Sequence, residues 1–421
     1  MGIQNLIKRL TGQKRGKLVK TWEFQADSSI LTSPAVGDLG EGKNVIVFGT
    51  EKGKIYTLDE QSKVKWLYDL QQKREEVELL FLDEETVKSI RCPPILADIN
   101  NDGKKEIIVG SDSGLFVVIS DTGKLLWDFT VGAPIRASAL VEDLDNDNQP
   151  EIIFGCTDQF LYILDNKGKL LSKFKADSPI QSPCTVLKKN PPQIIFGSDD
   201  GTIYSLNRAC AVNWKYKTND KVLAQPAIAD INGDGKEEIV VGSLDSTLYV
   251  LDESGALLWK FQTEGSIYSK ACLADINNDG KLEIIFGSCD NNVYVLSYKG
   301  DKIWNYETDF WIVASPFVTD FDNDGKLEVV VGSFDHSLYI LDAEGSFILN
   351  YMPGVAGIAQ QPGSYADVMT SQPGQFQGKK LWQYKTNSFI VGSKPMENKG
   401  QNSIIVGTKA GKLKLFSHEK D

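Results

Sequence analysis

The chain has 421 residues, with 57 acidic against 45 basic side chains and a net charge of −12. An acidic surplus of that size speaks against a nucleic-acid partner, which needs a basic face. Two histidines, His336 and His418, leave no histidine-based zinc centre and make a Ser-His-Asp triad implausible. No apolar stretch is long enough to span a bilayer.

The first 18 residues read as a basic tail. Ile3, Leu6, Ile7 and Leu10 fall on one helical face, with Lys8, Arg9, Lys14, Arg15, Lys17 and Lys20 around and after them. A short basic amphipathic helix suits peripheral contact of residues 3–20 with an anionic membrane, or docking into a partner. A solvated tail fits the same residues. No apolar h-region marks a secretory signal, and Leu6 stands where myristoylation wants Ser or Thr. The expectation is a cytoplasmic protein, with extracellular or peripheral-membrane placement left open.

From residue 19 onward the chain repeats. Gly49, Gly110, Gly155, Gly197, Gly242, Gly287, Gly332 and Gly407 mark eight copies, 42 to 45 residues apart except for gaps of 61 and 75. A unit of about 45 residues with four short strands is a propeller blade. Eight markers predict an all-β, eight-bladed β-propeller of four-stranded antiparallel blades, one domain over residues 19–421, with insertions at 70–89 and 345–378.

In the fifth unit an inner strand around Gln225–Asp230 leads through an acidic loop to Glu238–Gly242, then to Thr247–Asp252 and Leu257–Phe261. Short runs of Val, Ile, Tyr and Leu bounded by Gly, Asp and Asn are what strands require. Trp22, Trp66, Trp127, Trp214, Trp259, Trp304 and Trp382 share one outer-strand position, with Phe174 near it in the unit that lacks a Trp. They read as core, stacked between blades. Trp22 precedes the first inner strand, while the last unit ends after its third strand at Lys412–Ser417. Residues 19–25 are therefore expected to supply the missing strand and close the ring, which removes exposed sheet edges. Cys92, Cys156, Cys184, Cys210, Cys272 and Cys289 form no CxxC pair and read as small buried thiols, although their even count leaves disulfides open.

Five units carry an acidic loop after the inner strand: DINNDGKKE from Asp98, DLDNDNQPE from Asp143, DINGDGKEE from Asp230, DINNDGKLE from Asp275 and DFDNDGKLE from Asp320. Oxygen-bearing side chains stand at positions 1, 3, 5 and 9, and Gly, or once Asn148, at position 6. Hard cations take six to eight oxygens, which a short loop supplies from alternate residues around a sharp turn. Gly and, next, Asn tolerate the left-handed conformation of that turn. The candidate ligands are Asp98, Asn100, Asp102 and Glu106; Asp143, Asp145, Asp147 and Glu151; Asp230, Asn232, Asp234 and Glu238; Asp275, Asn277, Asp279 and Glu283; and Asp320, Asp322, Asp324 and Glu328. Lys104, Gln149, Lys236, Lys281 and Lys326 would add backbone carbonyls. Solvated Asp/Asn turns are the plain alternative, and five in register favour about five Ca2+ sites. Five divalent ions would cancel most of the −12. The units with DLGEGKN at Asp38, LKKNPPQ at Leu187 and SKPMENKGQN at Ser393 are expected to hold no metal.

These loops, followed by FGS or VGS, resemble FG-GAP repeats of integrin α-like calcium propellers. The LDxxGxxLW stretches are similar to pyrroloquinoline-quinone-like propeller repeats, in which such Trp residues dock blade on blade. The two resemblances cover nearly the whole chain from about residue 19. They imply calcium binding, mostly outside the cytoplasm in such propellers, against which the missing signal stands in tension. The adjacent-cysteine pair and distinct metal site of quinone dehydrogenases are absent from the sequence.

Aligning the starts of the inner strands places Leu31, Arg91, Arg136, Gln181, Leu223, Tyr268 and Val313 at one position on the channel rim opposite the acidic loops. Arg91 and Arg136 fall on neighbouring blades, where two guanidinium forks suit a carboxylate or phosphate, or pair with the protein's own carboxylates. Phe310 and Trp311 join the same rim, and Trp311 is the one Trp that breaks the repeat. The insertion 70–89 is expected beside this rim, and 345–378 on the acidic-loop side. The expected function is a calcium-binding, non-catalytic scaffold for a protein partner through Arg91, Arg136, Tyr268, Phe310 and Trp311. A glycan-binding lectin or a polysaccharide-lyase-like propeller is the alternative.

Overall fold

The computed structural model describes residues 16–70, 89–348, 375–398 and 401–419. The helical face expected in the basic tail and most of the insertions at 70–89 and 345–378 lie outside the described residues.

Thirty-two strands form eight four-stranded antiparallel sheets, and no helix occurs among the described residues. Seven sheets run in chain order from inner to outer strand; the eighth combines Ile390–Asn398, Gln401–Thr408 and Lys412–Glu419 with the first strand, Lys17–Gln25. The ring closes as expected, in a register from Lys17 opposite Glu419 to Gln25 opposite Lys412.

Burial follows the expected gradient. Glu238–Gly242 and Thr247–Leu251 are buried at every position, whereas outer strand Leu257–Gln262 is half-buried or exposed. The middle strands are covered on both faces, which is why their sequences are continuously apolar. The second strand of each of the first seven blades ends in Gly, where the next blade comes very close. A Cβ on Gly242 would lie 2.3 Å from Ile267, and one on Gly287 2.2 Å from Ile312.

The outer Trp residues dock as expected. Each indole N–H donates to a carbonyl of the next blade: Trp66 to Asp121, Trp127 to Asn166, Trp214 to Glu253 and Trp259 to Tyr298, all at 3.0–3.1 Å. The rings lie over Gly123, Gly168, Gly255 and Gly300. In the third blade, which lacks a Trp, Phe174 lies near this position as expected but does not occupy it. Phe174 pairs with Leu161, as Phe261 pairs with Leu248, while Ser172 pairs with Ile163 where Trp259 pairs with Val250. The Trp position is therefore Ser172, and its hydroxyl still donates to the next blade, to the carbonyl of Arg208 at 3.2 Å.

A second repeated device has no counterpart in the sequence reading. Tyr162, Tyr204, Tyr249, Tyr294 and Tyr339 donate their hydroxyls to Asp158, Asp200, Asp245, Asp290 and Asp335 at 2.6–2.8 Å. Burial, and then the carboxylate partner, push these phenols above their ordinary range. All six cysteines are free thiols.

Glu23 ties the closing strand to its neighbour through Lys412 at 2.6 Å and also pairs with Lys20 of its own strand at 2.9 Å. Hydrogen bonds from Lys412 and then Lys20 hold its carboxyl down from 4.5 to about 2. A depressed carboxyl contributes stability above its unfolded pKa and loses it as pH falls through the folded one. The window is thus about pH 4.5 down to 2. Glu23→Gln is expected to flatten the melting temperature across that window relative to wild type, with little change in slope above pH 5. An unchanged acid profile would show that the closing strand does not depend on this pair.

Candidate functional site

The five acidic loops share one hydrogen-bond scheme. The Glu at position 9 is buried in every loop, from 0% exposed at Glu328 to 4% at Glu238. Its carboxylate accepts the N–H of position 2: Ile99 at 3.0 Å, Leu144 at 2.8 Å, Ile231 at 3.0 Å, Ile276 at 3.0 Å and Phe321 at 2.8 Å. The first Asp accepts the N–H of position 6, from Gly103, Asn148, Gly235, Gly280 and Gly325, at 2.8–3.0 Å. The fifth-position carboxylates of Asp102, Asp147, Asp234, Asp279 and Asp324 accept the N–H of Lys104, Gln149, Lys236, Lys281 and Lys326 at 2.7–2.9 Å.

Position 6 is left-handed throughout. Asn148 takes φ 64°, against 81–86° for Gly103, Gly235, Gly280 and Gly325 in the other four loops; their values are 83°, 86°, 81° and 86°. Asn therefore meets the turn's demand at Asp143 as well. Carboxylates of Asp143, Asp145 and Glu151, and of Asp320, Asp322 and Glu328, converge within 4.8 Å. Burial and the neighbouring Asp charges raise the Glu106, Glu238 and Glu283 carboxyls, while backbone N–H groups led by Gly235 lower Asp230. Such crowding of buried like charges is what a bound cation relieves.

Position 3 divides the loops. In three of them an Asn amide donates to the buried Glu: Asn100 to Glu106 at 3.4 Å, Asn232 to Glu238 at 3.1 Å and Asn277 to Glu283 at 3.0 Å. Asp145 and Asp322 stand there in the other two, and a carboxylate has no proton to give.

The loop at Asp38, expected to hold no metal, keeps part of the scheme. Asp38 accepts the N–H groups of Gly40, Glu41 and Gly42 at 2.9 Å. It lacks the ninth-position Glu.

The opposite rim divides into two halves. On blades two to five, Asp112 sits between Arg91 and Arg136, each guanidinium Nε 3.0 Å from it, with the Asp112 side chain only 4% exposed. Arg136 also donates to Gln181 at 3.4 Å, Gln181 to Asp199 at 2.9 Å, and Lys221 pairs with Asp199 at 3.1 Å. The two arginines thus take the internal option, a carboxylate of their own chain. On blades six to eight the rim is aromatic. Tyr268, Phe310 and Trp311 are 40%, 43% and 46% exposed. Phe310 and Trp311 stack at 5.1 Å, and Phe334 and His336 lie against Phe389 at 5.1 and 4.7 Å.

Asp112, Asp199 and Lys221 are rim residues that the sequence reading missed. Their signal is positional: Asp112 and Asp199 stand two residues after the repeat glycines Gly110 and Gly197, where Leu244, Cys289 and Phe334 stand in later blades.

A family model described as "Beta-alanine-activating enzyme, beta-propeller" matches residues 86–373. No curated protein matches the sequence. Among solved structures, BamB from Moraxella catarrhalis is similar at TM-score 0.64 and 13% identity, covering 95% of this chain and 100% of that one. Sqt1 from Saccharomyces cerevisiae is similar at TM-score 0.68 and 12% identity, covering 95% and 99%. BBS1N, in complex with ARL6DN, is similar at TM-score 0.55 and 12% identity, covering 96% and 97%. At these identities the likeness concerns the fold. With eight closed blades and a family match over most of its length, the chain belongs to the β-propeller family described for the β-alanine-activating enzyme.

Proposed function

We propose that this chain is a non-catalytic binding propeller, braced by calcium in its acidic loops and engaging a protein partner at the opposite channel mouth. The observation that carries the partner reading is the stacked, half-exposed pair Phe310–Trp311 with Tyr268 on the same rim. Large aromatic side chains that break a repeat and face solvent suit the centre of an interface. The adjoining Arg91–Asp112–Arg136 band offers oriented charge for specificity rather than bulk affinity. A neighbour of similar fold, BBS1N, was solved with a bound protein, which agrees with such a role.

The calcium reading rests on chemistry of the donor set. All-oxygen ligands at alternate positions, a left-handed residue at position 6 and a buried Glu closing each loop fit a hard cation. The ion would neutralise clustered carboxylates and tie the inner strand to the next one. The likeness to FG-GAP repeats supports the same reading. The family description names an enzyme, and the part it names is the propeller. The propeller fold by itself specifies no activity.

The test is partner capture by the purified chain followed by mass spectrometry, with Trp311→Ala, Arg136→Ala and a variant shortened across 345–378. Trp311→Ala is expected to lower capture of a specific partner at least about tenfold, in line with a buried aromatic anchor. Normal capture by both point variants, with loss only in the shortened chain, would move recognition to the acidic-loop face. Capture abolished by a soluble oligosaccharide would instead favour a glycan on the same aromatic platform.

A further inference from the structure

The loop at Asp143 has a cation of its own. Arg208, from the outer hairpin of the fourth blade, reaches back across the blade junction into it. One guanidinium nitrogen lies 2.5 Å from the Asp145 carboxylate and another 2.6 Å from Glu151, whose side chain is 3% exposed. The Nε also donates to Glu151, at 3.1 Å. These are charge-assisted bonds to the third- and ninth-position groups of the loop, and a planar fork is suited to bridging two carboxylates.

Three coordinated departures from the repeat make this possible. The hairpin position of Arg208 is filled elsewhere by Glu60, Asp121, Asn166, Glu253, Tyr298 and Ala343, none of them basic. The indole that covers this corner at other junctions is replaced by Ser172. The glycine on which that indole would rest is replaced by Cys210, in the same left-handed conformation at φ 62° and bonded to the Ser172 hydroxyl at 3.3 Å. At Gly168 a Cβ would lie 2.7 Å from Trp127, although Ser62 holds the same left-handed place beside Trp22. Losing the Trp frees the space through which a guanidinium enters.

The chemistry at position 3 explains why a cation is needed. Where Asn stands, its amide donates to the buried Glu. Asp145 cannot, and two carboxylates would face each other next to buried backbone. Either a metal or a basic side chain must stand between them.

We infer that Arg208 replaces the metal in the Asp143 loop, so that this loop takes no divalent cation in the native protein and calcium binds only at Asp98, Asp230, Asp275 and Asp320. The number of filled loops rests on the calcium reading above; the exclusion at Asp143 does not. A guanidinium lodged in a calcium loop makes the third blade's brace permanent, insensitive to the calcium level that governs the others.

The experiment counts bound calcium by native mass spectrometry and isothermal titration on the full chain, for wild type, Asp145→Asn, Arg208→Gln and the double variant. Wild type and Asp145→Asn are expected to bind the same number of ions. Arg208→Gln is expected to bind one more, and the double variant to keep it, because its loop then carries the position-3 Asn of the Asp98, Asp230 and Asp275 loops. A drop of one ion in Asp145→Asn, or no gain in Arg208→Gln, overturns the inference. Wild type that binds no calcium at all defeats the calcium reading alone, because gain of a site in Arg208→Gln still reports on Arg208. If Arg208→Gln folds poorly without metal, recovery of its melting transition by added calcium is a second positive result, and failure to recover counts against it.

Discussion

Chelating calcium with EGTA is expected to lower the melting temperature of this protein by roughly ten degrees. A ligand that binds only the native state adds about 2.7 kcal/mol per site at a hundredfold excess over its Kd. Four loaded loops would therefore contribute roughly 11 kcal/mol. Unfolding entropy near 2.1 cal/mol/K per residue gives about 0.9 kcal/mol/K for 421 residues. The quotient is a shift of about 12 °C if the ring unfolds as one unit. Magnesium should restore less, since it demands near-ideal octahedral geometry and gives up its waters reluctantly. The measurement is differential scanning calorimetry with calcium, magnesium and chelator at fixed ionic strength. A chelator effect within one degree would mean that the internal hydrogen bonds of the loops, such as Gly235 N–H to Asp230 at 2.8 Å, suffice without metal.

The architecture was legible in the chain because a propeller writes its plan once per blade. Gly242, the loop from Asp230, Tyr249 and Trp259 each do the same job as their counterparts 45 residues on. Ring closure followed from a count, since Trp22 had no inner strand before it and Lys412–Glu419 had no outer strand after it. Repetition also fixed which side chains share a rim, and it placed Arg91, Arg136, Tyr268 and Trp311 on one rim.

The partners of those residues were harder to read, because pairing across a ring depends on side-chain reach between blades. Arg91 and Arg136 could have been open forks; Asp112, from the turn after Gly110, lies between them. The Tyr–Asp bonds recur four residues apart in five blades, yet nothing in composition separates those Asp residues from ordinary turn Asp. In the third blade the repeat left the docking position itself unassigned. Phe174 attracts attention as an aromatic near a missing Trp, whereas strand pairing assigns that place to Ser172, a residue with no hydrophobic signal. The informative clue was a pair of departures, Trp to Ser172 and Gly to Cys210, in adjoining blades.

Trp304→Ala is expected to be the most damaging of the docking-Trp truncations, costing about 3–5 kcal/mol, the range for removing a fully buried large aromatic. Trp304 is the one docking Trp that is completely buried, at 0% exposure. Its indole N–H donates to the Ala343 carbonyl at 2.9 Å, and its ring fills the space beside Gly378, where a Cβ would lie 2.9 Å from the ring. Truncation removes that contact area and leaves a buried carbonyl without its donor, which adds a desolvation penalty to the cavity. Trp127 is only half-buried, so Trp127→Ala should cost roughly half as much. Trp304→Phe should recover part of the loss, because the ring volume returns and the donor does not. The third blade shows that a small residue can stand at this position, but there Cys210 and Arg208 fill the junction, and the sixth blade has neither. Urea denaturation of the calcium-loaded protein decides the matter. Equal losses below about 1 kcal/mol for both alanine variants would mean that blade docking rests on the strand-end Gly–Ile contacts, such as Gly287 against Ile312, and not on the tryptophans.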